Sequence, residues 1–162
     1  IGKKKWENYF KFTIERNPYD RLVSCYEDKI NKSGDQPGRS YRKGIYRGFL
    51  NYGEFYPGMS FKEFVKSVAS ISDKNADKHF RSQSFQLTNK KDELLVDYIA
   101  KLENINEEFE KICKKIGIDE PPELPHKRKT NKKSYKEYYD EETRELVRER
   151  YEKDLKLFGY SF

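Results

Sequence analysis

The stretch Phe12–Ser24, FTIERNPYDRLVS, decides how this sequence folds. Aromatic residues alternate with others in YFKFTI, which predicts a first strand over Tyr9–Ile14. The strand stops at RNP. Asn17 is a preferred N-cap, Pro18 suits the first helical position, and Asp20 puts a carboxylate in the first turn. Leu22, Cys25, Tyr26 and Ile30 then recur on one face, which predicts a helix from Pro18 to Ile30. A strand that feeds directly into a capped helix is half of a parallel α/β unit. The strand end and the helix start of such a unit offer unpaired N–H groups and a positive dipole to an anion. Arg16 adds a planar fork suited to phosphate. Ser24, about two turns beyond the cap, reaches an anion that lies alongside the helix rather than on its axis. The residues alone leave a second reading open, in which Arg16 pairs with Glu15 or Asp20 and Ser24 is an ordinary helix-surface serine.

Downstream, Asn31–Met59 carries six glycines and two prolines and reads as a loop. It is long for a structureless connection, so it is a functional insertion or it holds short helices. Ser60 opens a second helix, SFKEFVKSVAS, with a capping box to Glu63. A polar segment, SDKNADKHFRSQSFQL, follows; LLVDYIAKL, Leu94–Leu102, reads as strand or helix, and a short strand near Asp97–Lys101 is the preferred reading. A third helix is expected from Asn104, with Glu107 three residues on, a stripe of Ile105, Phe109, Ile112 and Ile116, and Gly117 at its end. The prolines of DEPPELPHKRKTNKKS exclude regular structure there. A last helix is expected from Asp140 to Leu157. This order implies an α/β domain with a small parallel sheet flanked by helices. Two strands are too few for a complete sheet, so the expected core is finished by residues outside this chain.

The chain has 162 residues, enough for one domain with a modest core. Charged residues make up 38% and hydrophobic ones 35%, but thirteen Tyr and eleven Phe supply core volume that the aliphatics alone could not. The net charge of +6 favours an anionic partner, or else reflects solvated surplus lysine. Nucleic acid is not expected, because no helix concentrates Arg and Lys on one face and no recognition motif occurs. Cys25 and Cys113 fall in helical patterns as small buried residues, with no spacing that would bind a metal. No apolar run is long enough to cross a membrane.

Four separated blocks resemble the family-2 sulfotransferases that use PAPS (3′-phosphoadenosine 5′-phosphosulfate), a group of carbohydrate and heparan 2-O-sulfotransferases with many bacterial members. They are FTIERNPYDRLVSCYEDKI, SFKEFVKSV with DKHFRSQSF, DYIAKLENINEEFEKICKKIGI, and SYKEYYDEETRELVRERYEKDLKLFGYSF. The resemblance implies a P-loop-like sulfotransferase fold over 1–162, as one domain that is the C-terminal portion of the whole. It implies PAPS as donor, adenosine 3′,5′-bisphosphate as product, and a hydroxyl acceptor, expected to be a glycan or another small hydroxyl compound. The alternative is a non-catalytic nucleotide- or polyanion-binding module of the same descent. By the resemblance, Arg16 and Ser24 hold the 3′-phosphate, with Arg21 supporting the site or the fold. Thr130 and Lys133 in HKRKTNKKS contact cofactor phosphates, assisted by Arg128 or Lys132.

The family's phosphosulfate loop, roughly PKTAGTS, has no counterpart here, where the nearest match in character is GKKKWENYF, and the usual base also lies upstream. His79 is the candidate base that remains, set against a structural or exposed histidine, with Arg81 and Gln83 beside it to hold an acceptor. Arg42 and Arg47, among Tyr41, Tyr46, Tyr52 and Tyr56, are further acceptor candidates, or these residues form an aromatic mini-core under the loop. Glu15 stands where the family has an apolar residue and is expected to pair with Arg16 or face solvent. The expected compartment is the cytoplasm for a prokaryotic protein and the Golgi lumen for a eukaryotic one.

Overall fold

Asn17 and Pro18 start a helix as their chemistry dictates, and the rest of the fold divides around them. The computed structural model describes residues 2–31, 41–42, 45–124 and 134–162. The chain forms two compact units, Ile1–Arg16 with Leu87–Asn131, and Asn17–Gln86 with Lys132–Phe162.

In the first unit, helix α1 (Lys3–Asn8) precedes strand β1 (Phe12–Glu15). β1 pairs in parallel with β4 (Tyr98–Lys101), Phe12 opposite Tyr98 and Glu15 opposite Lys101. The start of β1 is fixed by Lys11, whose N–H donates to Asp97 Oδ2 at 2.8 Å and whose ammonium meets the same oxygen at 2.9 Å. The Lys11 hydrogen bonds hold the Asp97 carboxyl below its usual range. The strand therefore begins at Phe12 rather than Tyr9, and KKKWEN is helical, with Gly2 O accepting the N–H groups of Lys5 and Trp6. Helix α5 (Ile105–Lys115) packs on β4 and buries Ile112 and Cys113. Tyr98 donates to Glu108, which also accepts from Lys111. Asn104 makes no side-chain cap bond: a 3₁₀ turn, Leu102–Asn104, runs straight into α5 and takes Asn104 out of the extended conformation a cap needs. Gly117 ends the helical run at φ +81°. Glu15 does not face solvent; it is buried, whereas Phe12 and Ile14 are 45% and 47% exposed.

The second unit holds a continuous aromatic core. Helix α2 (Pro18–Tyr26) buries Leu22, Val23 and Cys25, then widens into a π-helical turn, Glu27–Asn31, rather than running on as α-helix to Ile30. The Asn31–Met59 stretch contains short elements: strands β2 (Tyr41–Arg42) and β3 (Ile45–Tyr46) pair antiparallel, and a 3₁₀ turn, Arg47–Asn51, inserts Phe49 into the core. Phe49 meets Phe55, Phe64 and Phe80 at centroid distances of 4.8–6.3 Å, in the range of favourable aromatic pairs. Helix α3 (Phe61–Ser70) starts with the predicted capping box, Ser60 N–H donating to Glu63 at 2.7 Å while Ser60 Oγ accepts from Glu63 N–H at 3.3 Å. A short helix, α4 (Gln83–Leu87), lies in the polar segment. Asp140 caps α6 (Glu141–Arg150), and α7 (Glu152–Phe158) follows. The expected single closing helix is thus split at Tyr151, whose backbone (φ −115°, ψ 23°) leaves the helical region. Tyr151 N–H still donates to Val147 O and Leu155 N–H to Tyr151 O.

Candidate functional site

Arg16 closes the first unit and is half-buried; Ser24 lies in α2 of the second, also half-buried. In α2, Asn17 Oδ1 accepts the Tyr19 N–H at 3.0 Å, Asn17 O accepts the Arg21 N–H at 2.8 Å, and Pro18 has no N–H to give. The cap therefore already occupies donors that the sequence suggested for an anion. What this helix start can offer an anion is then mainly its dipole and nearby side chains.

Arg21 does not point into that role. Its guanidinium donates from Nη1 to Arg81 O at 2.8 Å and from Nη2 to Lys78 O at 2.9 Å. It holds the segment that carries His79, Arg81 and Gln83, as a supporting residue would. The closing helices hold the same segment from their side. Tyr151 donates to Phe80 O at 2.6 Å. The Asp154 carboxylate, fully buried, accepts the N–H groups of Gln83 at 2.7 Å and Ser84 at 2.8 Å, and so caps α4 from across the fold. Arg150 donates to Asp73 at 2.6 Å and to Ser82 Oγ at 3.0 Å, while Asp73 also accepts the Ser82 N–H. Burial pushes the Asp73 carboxyl up, but the Arg150 and Ser82 hydrogen bonds outweigh it and leave the group below its ordinary value.

Within this clamp, His79 Nδ1 meets Asp77 Oδ1, and the ring sits edge-on to Tyr46 at 5.0 Å. Burial lowers the His79 pKa below its usual value despite the Asp77 carboxylate, so the ring is neutral at pH 7. Arg81 donates to Ala76 O and lies over the Phe85 ring. Gln83 is buried. Tyr46 and Tyr52 pack into the aromatic core, Tyr52 OH donating to Asn75 O, whereas Tyr56 and Arg47 are exposed. The Arg42 side chain, and Arg128, Thr130, Lys132 and Lys133, lie outside the described residues. Both cysteines are buried thiols, and burial pushes Cys25 up to about 12. Among the described residues, no group of His, Cys, Asp or Glu is arranged to hold a metal, and no helix is long and apolar enough to cross a membrane.

Sequence reasoning missed Arg150 and Asp154 as organisers of the loop. A local signal is the three-residue spacing of Tyr151 and Asp154 in the closing block.

A family model described as the sulfotransferase family matches residues 2–161. An uncharacterized protein of Archaeoglobus fulgidus is 32% identical over 120 residues, covering 74% of this chain and 78% of that protein. Human carbohydrate sulfotransferase 10 is 26% identical over 175 residues, which is 98% of this chain and 49% of the human protein. Carbohydrate sulfotransferase 12 of Xenopus laevis is 24% identical over 176 residues, 98% of this chain and 41% of its own length. The chain thus spans about half the length of these carbohydrate sulfotransferases. No solved structure matches it.

Proposed function

Because the chain belongs to the sulfotransferase family, we propose that it takes part in moving a sulfuryl group from PAPS to a hydroxyl of a carbohydrate acceptor. The observation that carries this is the family match over residues 2–161, which includes the Arg16–Ser24 stretch. The positive charge of the chain supports an anionic donor, and its likeness to longer carbohydrate sulfotransferases supports the acceptor class.

In this reading Arg16 grips the 3′-phosphate of the donor through its fork and Ser24 donates its hydroxyl to the same group. Thr130, Lys133 and Arg128 supply further phosphate contacts. The donor supplies an activated sulfuryl group: the acceptor oxygen bonds to sulfur as the bond from sulfur to the bisphosphate breaks. The acceptor proton passes to a base, assigned to His79. Asp77 holds its Nδ1, which leaves Nε2 to take the proton, and the lowered pKa keeps that nitrogen neutral. Arg81, Gln83, Arg42 and Arg47 are assigned to the acceptor, with Arg47 the exposed one among the described side chains.

The test is incubation of the protein with sulfate-labelled PAPS and a panel of glycans. Label in a glycan is the expected result, lost in His79→Ala. A protein that binds adenosine 3′,5′-bisphosphate but transfers no label contradicts the enzyme and leaves a binding module.

A further inference from the structure

The last residues of the chain fold back onto the first turn of α2, away from any role the proposed chemistry gives them. Asn17 has two amide ends. Oδ1 caps Tyr19 N–H, and Nδ2 donates to Ser161 O at 3.0 Å. One side chain thus ties the helix start to a segment 144 residues later. Phe162 then packs edge-on to Tyr19 at 5.0 Å, to Tyr139 at 5.5 Å and to Tyr135 at 5.9 Å. Tyr139 OH donates to Tyr19 O at 2.9 Å, so the turn is held on its carbonyl side as well. Lys136 and Arg144 place their cations over the Phe162 ring, at 5.2 and 5.5 Å from its centroid. Tyr160 N–H donates to Leu155 O, and Gly159 at φ +66° turns the chain out of α7 toward α2.

We infer that Tyr160–Phe162 is a strap that fixes the first turn of α2 and thereby positions the donor's 3′-phosphate; the second half of this inference rests on the proposed function. A plain helix start needs only its cap. Here the cap residue is itself restrained, and the first aromatic of the helix, Tyr19, meets two rings edge-on, Tyr139 and Phe162. Such restraint suits a helix whose Ser24 must keep a fixed place against a phosphate, because small misplacement weakens charge-assisted hydrogen bonds. Phe162 and Asn17 are positioning residues in this account and touch no ligand.

The experiment follows backbone amide exchange by NMR in Phe162→Ala and in Asn17→Ser, alongside affinity for adenosine 3′,5′-bisphosphate and for 5′-AMP. Asn17→Ser keeps a capping oxygen and loses the donor to Ser161. The Tyr19 and Arg21 amides should exchange about tenfold faster in both variants, the size of losing one cap-type restraint, while the Phe64 amide of α3 is unchanged. Bisphosphate affinity should fall by a similar factor with 5′-AMP affinity held, and Phe162→Tyr should restore both. Unchanged exchange at Tyr19 and Arg21, or equal acceleration throughout the second unit, overturns the strap. Wild-type protein that does not distinguish bisphosphate from 5′-AMP overturns the 3′-phosphate reading, whatever the exchange shows.

Discussion

Asp154 shows how one residue can decide a loop that lies 70 positions away. Its buried carboxylate accepts two backbone N–H groups at the start of α4. Asp154→Ala removes both acceptors and strands two donors. Urea denaturation should show a loss of about 3 kcal/mol, since hydrogen bonds to a charged group are worth more than neutral ones; a loss below about 1 kcal/mol would mean that water replaces the carboxylate. His79 makes a second residue-scale prediction. Burial lowers its folded-state pKa below the ordinary 6.5, so the unfolded chain takes up the proton first. Its contribution to stability is complete above that value and is lost as pH falls below it toward the folded-state pKa. An NMR titration should place the His79 midpoint under 6.5, and His79→Gln should flatten the stability profile in that window. A midpoint above 6.5 would show that the Asp77 carboxylate outweighs burial. Residues whose partners are near in sequence were legible: Asn17, Pro18 and Ser60 take the roles their types predict. Glu15, Arg150 and Asp154 were not, because their burial and partners depend on elements far along the chain.

Elements follow the same division. Helix α3 was readable from its capping box, and both hydrogen bonds of the box are made. Ser60→Ala should therefore cost about 1 kcal/mol by thermal or urea unfolding, and no measurable cost would show that the helix is held by Phe61, Phe64 and Val65 alone. β4 was legible only as the preferred of two readings of an apolar run, and its pairing with β1 is parallel as the element order implied. The Asn31–Met59 stretch was harder. Its glycines suggested a loop, yet Phe49 and Phe55 bury fully into an aromatic cluster whose members come from distant segments. The Tyr151 break was also hidden, since the apolar spacing from Leu146 to Phe158 runs through it without a proline or glycine. The helical hydrogen bonds on both sides survive, which is why the periodicity gave no warning.

At the scale of the molecule, the first unit presents an inverted strand. β1 exposes Phe12 and Ile14 and buries Glu15, and the two-stranded parallel sheet has no third strand among the described residues. Parallel sheets are ordinarily covered on both faces, and an exposed apolar strand is a site of association. The chain by itself should self-associate with rising concentration in analytical ultracentrifugation, and Ile14→Lys should suppress this; a monomer at all concentrations would show that α1 and α5 shield the strand well enough. The second unit carries its own core, its clamp on the His79 loop and its strap on α2, and needs no such cover within itself. The family was readable from four blocks of sequence, three of which hold a helix start that its own residues cap: α2 at Asn17, α3 at Ser60 and α6 at Asp140. The proposed 3′-phosphate site depends most on Arg16. Calorimetric titration with adenosine 3′,5′-bisphosphate and 5′-AMP, on the protein and on Arg16→Ala, tests it most directly. Preference for the bisphosphate, reduced by about 30-fold or more in the variant, is the predicted result for loss of a bidentate charge-assisted contact. Equal affinity of the two proteins for the bisphosphate would contradict it.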